Sequence, residues 1–204
     1  MPIFEQPAYI DRPFNDLDAS GEHVTGVSFQ DCHLTGCNFN EGVFEHCSFE
    51  GCTFKACDLS LARFPRTSFK NAHFNDCRLV GVNWCGTDWE AKSLLSPKRV
   101  DFVSCLLDHA LFIRLDLAET SFKDCLAHGT DFEGANLTRA DFRGADLAGA
   151  RFVGCDLTEA NFTNAQGYAI NAADNTLHKT KFSLPEAVAL LHSLDIILED
   201  ESED

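Results

Sequence analysis

The fold is decided by one stretch of sequence, Ala135-Asn136-Leu137-Thr138-Arg139-Ala140-Asp141-Phe142-Arg143-Gly144-Ala145-Asp146-Leu147-Ala148-Gly149. It writes the same five-residue unit three times over: small, polar, large apolar, polar, polar. A period of five matches neither the 3.6 of an α-helix nor the 2.0 of an ordinary strand, so neither element keeps both apolar positions on one buried face. A coil that turns about ninety degrees every five residues does, and four units then close one square turn.

Working outward, every fifth residue from Phe29 to Trp89 is Phe, Leu or Trp. A second series runs from Phe102 to Phe162 and misses only at Ala127; after a weak stretch at Gly167 and Ala172 it resumes in frame at Leu177 and Phe182. Two residues before most of these sits a small one, and nine of the ten cysteines, all but Cys85, occupy that position. If turns stack at the strand spacing of about 4.8 Å, residues twenty apart should form chemically uniform columns. They do: Phe102, Phe122, Phe142, Phe162 and Phe182 make one column, and Leu117, Leu137, Leu157 and Leu177 another.

The unit resembles that of the pentapeptide-repeat family, usually written A-(D/N)-L-x-x, and the resemblance extends over about residues 14–182. It implies an all-β solenoid, a right-handed quadrilateral β-helix, here of nearly eight turns and some 35–40 Å in length. The divisions expected are an N-terminal cap over 1–13, coils over 14–89, a projecting loop over 90–101, coils over 102–182, a short C-terminal α-helix over 183–198 and an acidic tail over 199–204.

The loop is inferred from phase. Trp89 and Phe102 are thirteen residues apart, which is not a multiple of five, so something leaves the coil between them. That segment carries Lys92, Leu94, Leu95, Pro97, Lys98 and Arg99. An insertion in a solenoid can be inert, because extra loop length costs little. The other reading is a contact site, since basic and apolar side chains beside one another stand out on an acidic rod. At the other end, Ser183-Leu184-Pro185-Glu186 has the form of a capping box. Ala187, Leu190, Leu191, Leu194, Ile197 and Leu198 follow at helical spacing. A helix here can simply cover the open end of the coil. An apolar stripe through Val188, Leu190, Leu191, Leu194, Ile197 and Leu198 favours a two-fold dimer interface as well.

Composition sets the remaining bounds. The formal net charge is −16, and five of the last six residues are acidic. Such a field repels nucleic acid and favours basic partner surfaces, although solubility alone also accounts for surface acids. No signal-peptide pattern opens the chain and no apolar run approaches a membrane span, so a cytoplasmic protein with reduced thiols is expected, without membrane contact or direct nucleic-acid binding. Ten cysteines and eight histidines invite a metal reading. The Cys-x4-Cys spacing, however, puts neighbours on adjacent walls and the histidines fall at scattered outward positions, so no metal, cofactor or catalytic residue is assigned. No carboxylate dyad, nucleophile elbow or glycine-rich phosphate loop is present, and an enzyme is not expected.

Two further stretches narrow the resemblance. The ending from Phe182 to Ile196 and the tetrapeptide Gly81-Val82-Asn83-Trp84 are similar to segments of the topoisomerase-protecting branch, the quinolone-resistance and albicidin-resistance proteins. The resemblance implies a homodimeric DNA mimic that binds DNA gyrase, and topoisomerase IV as a further target, and shields it from poisoning antibiotics. It also carries a partner-binding role to the loop residues Lys92, Leu94, Leu95, Lys98 and Arg99. The alternative is a general protein-interaction scaffold with an unrelated partner.

Overall fold

The computed structural model describes residues 3–88 and 100–194. The chain winds as a square solenoid of about eight turns, all of whose strand pairs are parallel. Successive turns pair at a register of twenty, Tyr9 with Phe29, Phe14 with Leu34 and Val24 with Phe44. The walls are numbered here in chain order by their inward residues. Wall one carries Tyr9, Phe29, Phe49 and Phe69 and, higher up, Leu117, Leu137 and Leu157. Wall two carries Phe14, Leu34, Phe54, Phe74 and then Phe102 to Phe182. Wall three carries Ala19, Phe39, Leu59, Leu79, Leu107, Ala127 and Leu147, and wall four Val24, Phe44, Phe64, Trp84, Phe112, Phe132 and Phe152.

The last residue of most units turns the corner with a positive φ, whether or not it is glycine: 51° at Asp31, 53° at His46 and 57° at Arg114. This conformation costs a non-glycine residue about 1 kcal/mol or more. It persists because the corner N–H donates to the turn above, Asp31 to the Glu50 carbonyl and Arg114 to the Glu133 carbonyl, each at 2.8 Å. At Gly51 and Gly144 glycine is needed on a second count, since a Cβ there would lie 2.2 and 2.3 Å from the carboxylates of Asp31 and Asp124.

Inside, the repeated cross-section stacks like on like. On wall two the rings from Phe54 to Phe182 form an unbroken ladder, with centroids 4.6 Å apart for Phe54 and Phe74 and 4.7 Å for Phe142 and Phe162. Wall four runs a second ladder through Phe44, Phe64, Trp84, Phe112, Phe132 and Phe152. The two ladders meet edge to face across the interior, as Phe122 and Phe132 do at 81°. Burying each ring contributes about 2–3 kcal/mol, and each ring pair about 1 kcal/mol more.

The small inward position has its own chemistry. Its side chain faces a carbonyl of the turn below, twenty-three residues earlier: the Cys52 thiol donates to Phe29 at 3.5 Å, the Thr130 hydroxyl to Leu107 at 2.8 Å, and the Asn175 amide to Phe152 at 3.1 Å. Cysteine, threonine or alanine fits there, which accounts for the cysteine content without invoking disulfides; all ten thiols are free.

Around the phase break the register changes from twenty to twenty-eight. His73, Phe74 and Asn75 pair with Asp101, Phe102 and Val103, and Arg78 and Asn83 pair with Leu106 and Leu111. One turn therefore holds eight extra residues, while both aromatic ladders pass it without interruption. Val100 is buried and Asp101 opens a strand, so the coil resumes before the expected boundary at 102, because Val100 already fills the small inward position.

Both ends differ from expectation. The coil starts at Ala8–Ile10, ahead of residue 14, because Phe4 plugs the open base, edge-on to Tyr9, Phe14 and Phe29. At the top, Tyr168 and Ile170 turn inward where Gly167 and Ala172 leave the large position empty. The C-terminal helix is a 3-10 helix, Glu186–Leu194, in place of the expected α-helix from 183. Ser183 does not cap it: its hydroxyl accepts from the Asn164 N–H at 2.9 Å, which ties the segment to the last turn of the coil. The Val188 N–H donates to the Pro185 carbonyl, an i to i−3 bond that tightens the turn.

Phe102, fully buried at the first rung above the insertion, joins the lower and upper coils. Phe102→Ala is expected to cost about 3–5 kcal/mol, lowering the melting temperature by roughly 10 °C, whereas the partly exposed terminal Phe182→Ala should cost less than half of that. Thermal unfolding followed by circular dichroism checks the order.

Candidate partner-binding surfaces

With its interior filled by its own side chains, the solenoid offers outward walls and no deep cleft. Each wall presents two outward residues and a corner per turn, and their charges sort by wall. On wall one, Asp11, Asp31, Glu50, Asp88, Asp116, Glu119, Asp156 and Glu159 stand against Lys70, Arg139 and Lys179. On wall three, Asp18, Glu41, Asp58, Asp108 and Asp146 stand against Arg78. Walls two and four are close to neutral. The rod therefore carries two opposed acidic faces.

Opposite charges twenty apart meet along the axis, as in Arg151 with Asp131 at 2.9 Å and Arg139 with Glu119, and the His128 ring approaches Asp108 at 3.3 Å. These exposed pairs contribute no more than about 1 kcal/mol each. At Asp146 burial opposes the charge, but the Ala148 N–H, Gln166 and His128 outweigh it and hold the carboxyl below its ordinary range. At Asp18 the Ser20 hydroxyl and N–H act in the same direction. Asp18 and Asp146 on wall three are thus held ionised at neutral pH.

Five cysteines, Cys37, Cys57, Cys77, Cys105 and Cys125, stand in one column that crosses the insertion; the broken phase splits it in the sequence into two shorter columns. Hydrogen bonding to the next thiol, then burial, push Cys77 and Cys105 from 9.0 up to about 12. Such thiols are neutral at physiological pH and are neither nucleophiles nor ready metal ligands. Among the described residues no group of three or more His, Cys, Asp or Glu side chains is placed to hold a metal ion.

Of the anticipated site residues, Lys92, Leu94, Leu95, Lys98 and Arg99 lie outside the described residues, as do Ile197 and Leu198. Val188 and Leu191 are exposed on the terminal helix and Leu184 beside them is 80% exposed, which leaves an apolar patch at that end of the rod. Leu190 packs against the solenoid core, so its share in a dimer interface is smaller than its helical spacing suggests. Leu194 closes the helix. The sequence reading missed a groove of about 480 Å³ on wall four, lined by His23, Val43, Glu45, Arg63, Phe64, Pro65, Asn83 and Gly86. Its residues recur at intervals of twenty, a signal present in the sequence, whereas the pairing of Asn83 with Leu111 just above it needs the register of twenty-eight.

The family profile of the pentapeptide repeat region matches residues 27–96 and 95–174. The chain belongs to the pentapeptide-repeat family. No curated protein matches it. Among solved structures, trypsin-treated QnrB1, a plasmid-mediated fluoroquinolone resistance protein, is 20% identical with a TM-score of 0.67, covering 95% of this chain and 99% of that one. Full-length QnrB1 is also 20% identical, with a TM-score of 0.58 and 93% and 100% of the two chains covered. HetL, a pentapeptide repeat protein involved in heterocyst differentiation regulation from the cyanobacterium Nostoc sp. strain PCC 7120, is 18% identical with a TM-score of 0.52 over 85% and 86%. This pentapeptide-repeat chain shares with both the solenoid itself. No helix among its described residues is long and apolar enough to cross a membrane.

The raised thiol values carry a pH consequence. A neutral thiol favoured in the folded state contributes stability that is fully present below the unfolded value of 9.0 and is lost as pH rises towards about 12. Chemical denaturation between pH 8 and pH 11.5 should show stability falling across that window, and Cys77→Ala/Cys105→Ala should flatten the fall, since alanine already fills this position elsewhere in the coil.

Proposed function

We propose that this pentapeptide-repeat protein is a cytoplasmic, non-enzymatic homodimer that binds DNA gyrase, with topoisomerase IV as a further target, and protects it from poisoning antibiotics such as albicidin or quinolones. The observation that carries the reading is the coincidence of two features on one acidic rod: eight extra residues in a single turn, bearing Lys92, Leu94, Leu95, Lys98 and Arg99, and an apolar C-terminal end with Leu184, Val188 and Leu191 exposed. Both fall where the sequence resembles the topoisomerase-protecting branch. A solenoid like that of QnrB1 over nearly the full length of both chains is consistent with it.

In this reading the ionised acidic walls take the place of a duplex phosphate surface against the basic DNA-binding face of the enzyme, so the rod itself does not bind nucleic acid. The insertion is held by coils that stay in register on both sides of it, so its contacts are presented from a rigid base. Two-fold pairing of the C-terminal ends covers the exposed leucines and valine and doubles the length of the acidic faces. The second reading, an interaction scaffold with an unrelated partner, draws on HetL, whose comparable solenoid belongs to a regulator of differentiation.

A purified gyrase supercoiling assay separates them. With albicidin or a quinolone present, adding the protein should restore supercoiling. Deleting residues 91–98, which sets Phe74 and Phe102 twenty apart and so keeps the coil register, should weaken the rescue without unfolding the rod. Val188→Lys/Leu191→Lys should halve the mass measured by light scattering. No rescue with either drug, together with recovery of a different protein in pull-downs, would favour the scaffold.

A further inference from the structure

Wall four gathers its cations, whereas those without an ion pair among the described residues of walls one and two, Lys179, Arg12, Lys55 and Lys181, are spread along the rod. Arg151 is paired to Asp131 and Glu133, but Arg63, Arg66 and Arg114 are exposed and make no ion pair among the described residues. On a chain of net charge −16, with carboxylates on both neighbouring walls, unpaired guanidinium groups gathered on one face are unexpected. They surround apolar surface. The outward column of wall four reads Glu45, Pro65, Cys85, Ile113 and Glu133, and beside it Val43 and Leu111 point outward as well. Cys85 bridges the insertion here, its sulfur 3.8 and 3.7 Å from the carbonyls of Leu111 and Ile113.

Shape agrees with charge. The corner column below Arg114 reads Arg66, Gly86, Arg114, so two guanidinium groups about two turns apart, near 10 Å along the axis, flank a corner with no side chain. Nothing lies within 4 Å of a Cβ built on Gly86. The groove of about 480 Å³ opens at that notch, with Arg63 on its wall and Phe64 and Pro65 in its floor. Glu45 at its edge is engaged by His23 at 3.3 Å and lies 3.8 Å from His46, so it does not neutralise the arginines.

We infer that wall four is a docking face for a polypeptide segment that alternates carboxylate and apolar side chains. Carboxylates match the planar, two-pronged guanidinium donors, and the apolar side chains enter the groove at Val43 and Pro65 and lie along Cys85, Leu111 and Ile113 on the wall above it. Recognition is by side chains, because the backbone of the wall is largely spent on pairing between turns, as in Val43 N–H to the Glu22 carbonyl, Arg63 to Gly42 and Leu111 to Val82. A nucleic acid also offers anions to arginine, but a duplex about 20 Å wide would overlap the acidic corners of walls one and three and lacks the apolar groups the groove takes. The inference is independent of the gyrase reading.

The test uses the full chain and a fluorescein-labelled peptide of about twelve residues built from Glu-Leu-Glu-Phe repeats, followed by fluorescence anisotropy. The controls are the same peptide with Lys for Glu and a labelled duplex DNA. Saturable binding of the acidic peptide alone is expected, weakening with salt. Arg63→Gln/Arg66→Asn/Arg114→Asn, with asparagine chosen for the two left-handed corners, should weaken it at least about tenfold. Leu111→Ser/Ile113→Ser should weaken it as well and keeps the inference testable should the arginine variant melt early by circular dichroism. Lys123→Gln/Lys181→Gln on wall two should leave it unchanged. Absence of binding, equal or tighter binding of the lysine peptide or the duplex, or the same loss in the wall-two variant would each overturn it.

Discussion

Everything in this molecule depends on backbone pairing between successive turns at a constant register. A five-residue unit has no stable local conformation of its own: its corner sits at positive φ, and its single large side chain has nothing to pack on within the unit. Only when the next turn is laid above it do the corner N–H, the wall carbonyls and the inward ring all find partners together. Stability is thus a property of neighbouring turns, and this is why like stacks on like. A ring of one shape recurring at a fixed spacing near 5 Å leaves no gap, and a thiol or hydroxyl at the small position repeatedly meets a carbonyl of the turn beneath.

The insertion is the informative exception. Eight extra residues enter one turn, yet Phe74 still lies under Phe102 and Trp84 under Phe112. The interior tolerates a change of sequence register because pairing is between walls in space and not between residues at a set separation. The rod can therefore carry an insertion and a docking wall without weakening its core, and function can vary on the outside while the inside stays fixed. The charges show the same separation: walls one and three are acidic and wall four holds a cluster of arginines without ion pairs, while one continuous apolar core lies beneath all of them.

Much of this was legible in the sequence, because the signal that sets the fold is periodic and local. Columns twenty apart were readable from Phe102 to Phe182, and the phase break was readable from the separation of thirteen positions from Trp89 to Phe102. Harder to read was whatever breaks the period. Phe4 as the plug of the base, and Tyr168 and Ile170 turning inward, depend on what space the last regular turn leaves, which no repeat encodes. The hydroxyl of Ser183 fits a helix cap by local pattern, but the Asn164 N–H of the preceding turn competes for it and prevails. The five-thiol column and the stacking of Leu111 over Asn83 on wall four were hidden for one reason: both cross the insertion, where twenty becomes twenty-eight.

Because the ladders pass the insertion unbroken, the coils below and above it should unfold as one unit. Differential scanning calorimetry of the full chain measures this directly. A single transition whose calorimetric and van't Hoff enthalpies agree is the expected result. Two transitions, or a calorimetric enthalpy near twice the van't Hoff value, would mean that the turns on either side of residues 89–99 fold independently and that the continuous interior does not hold the rod together.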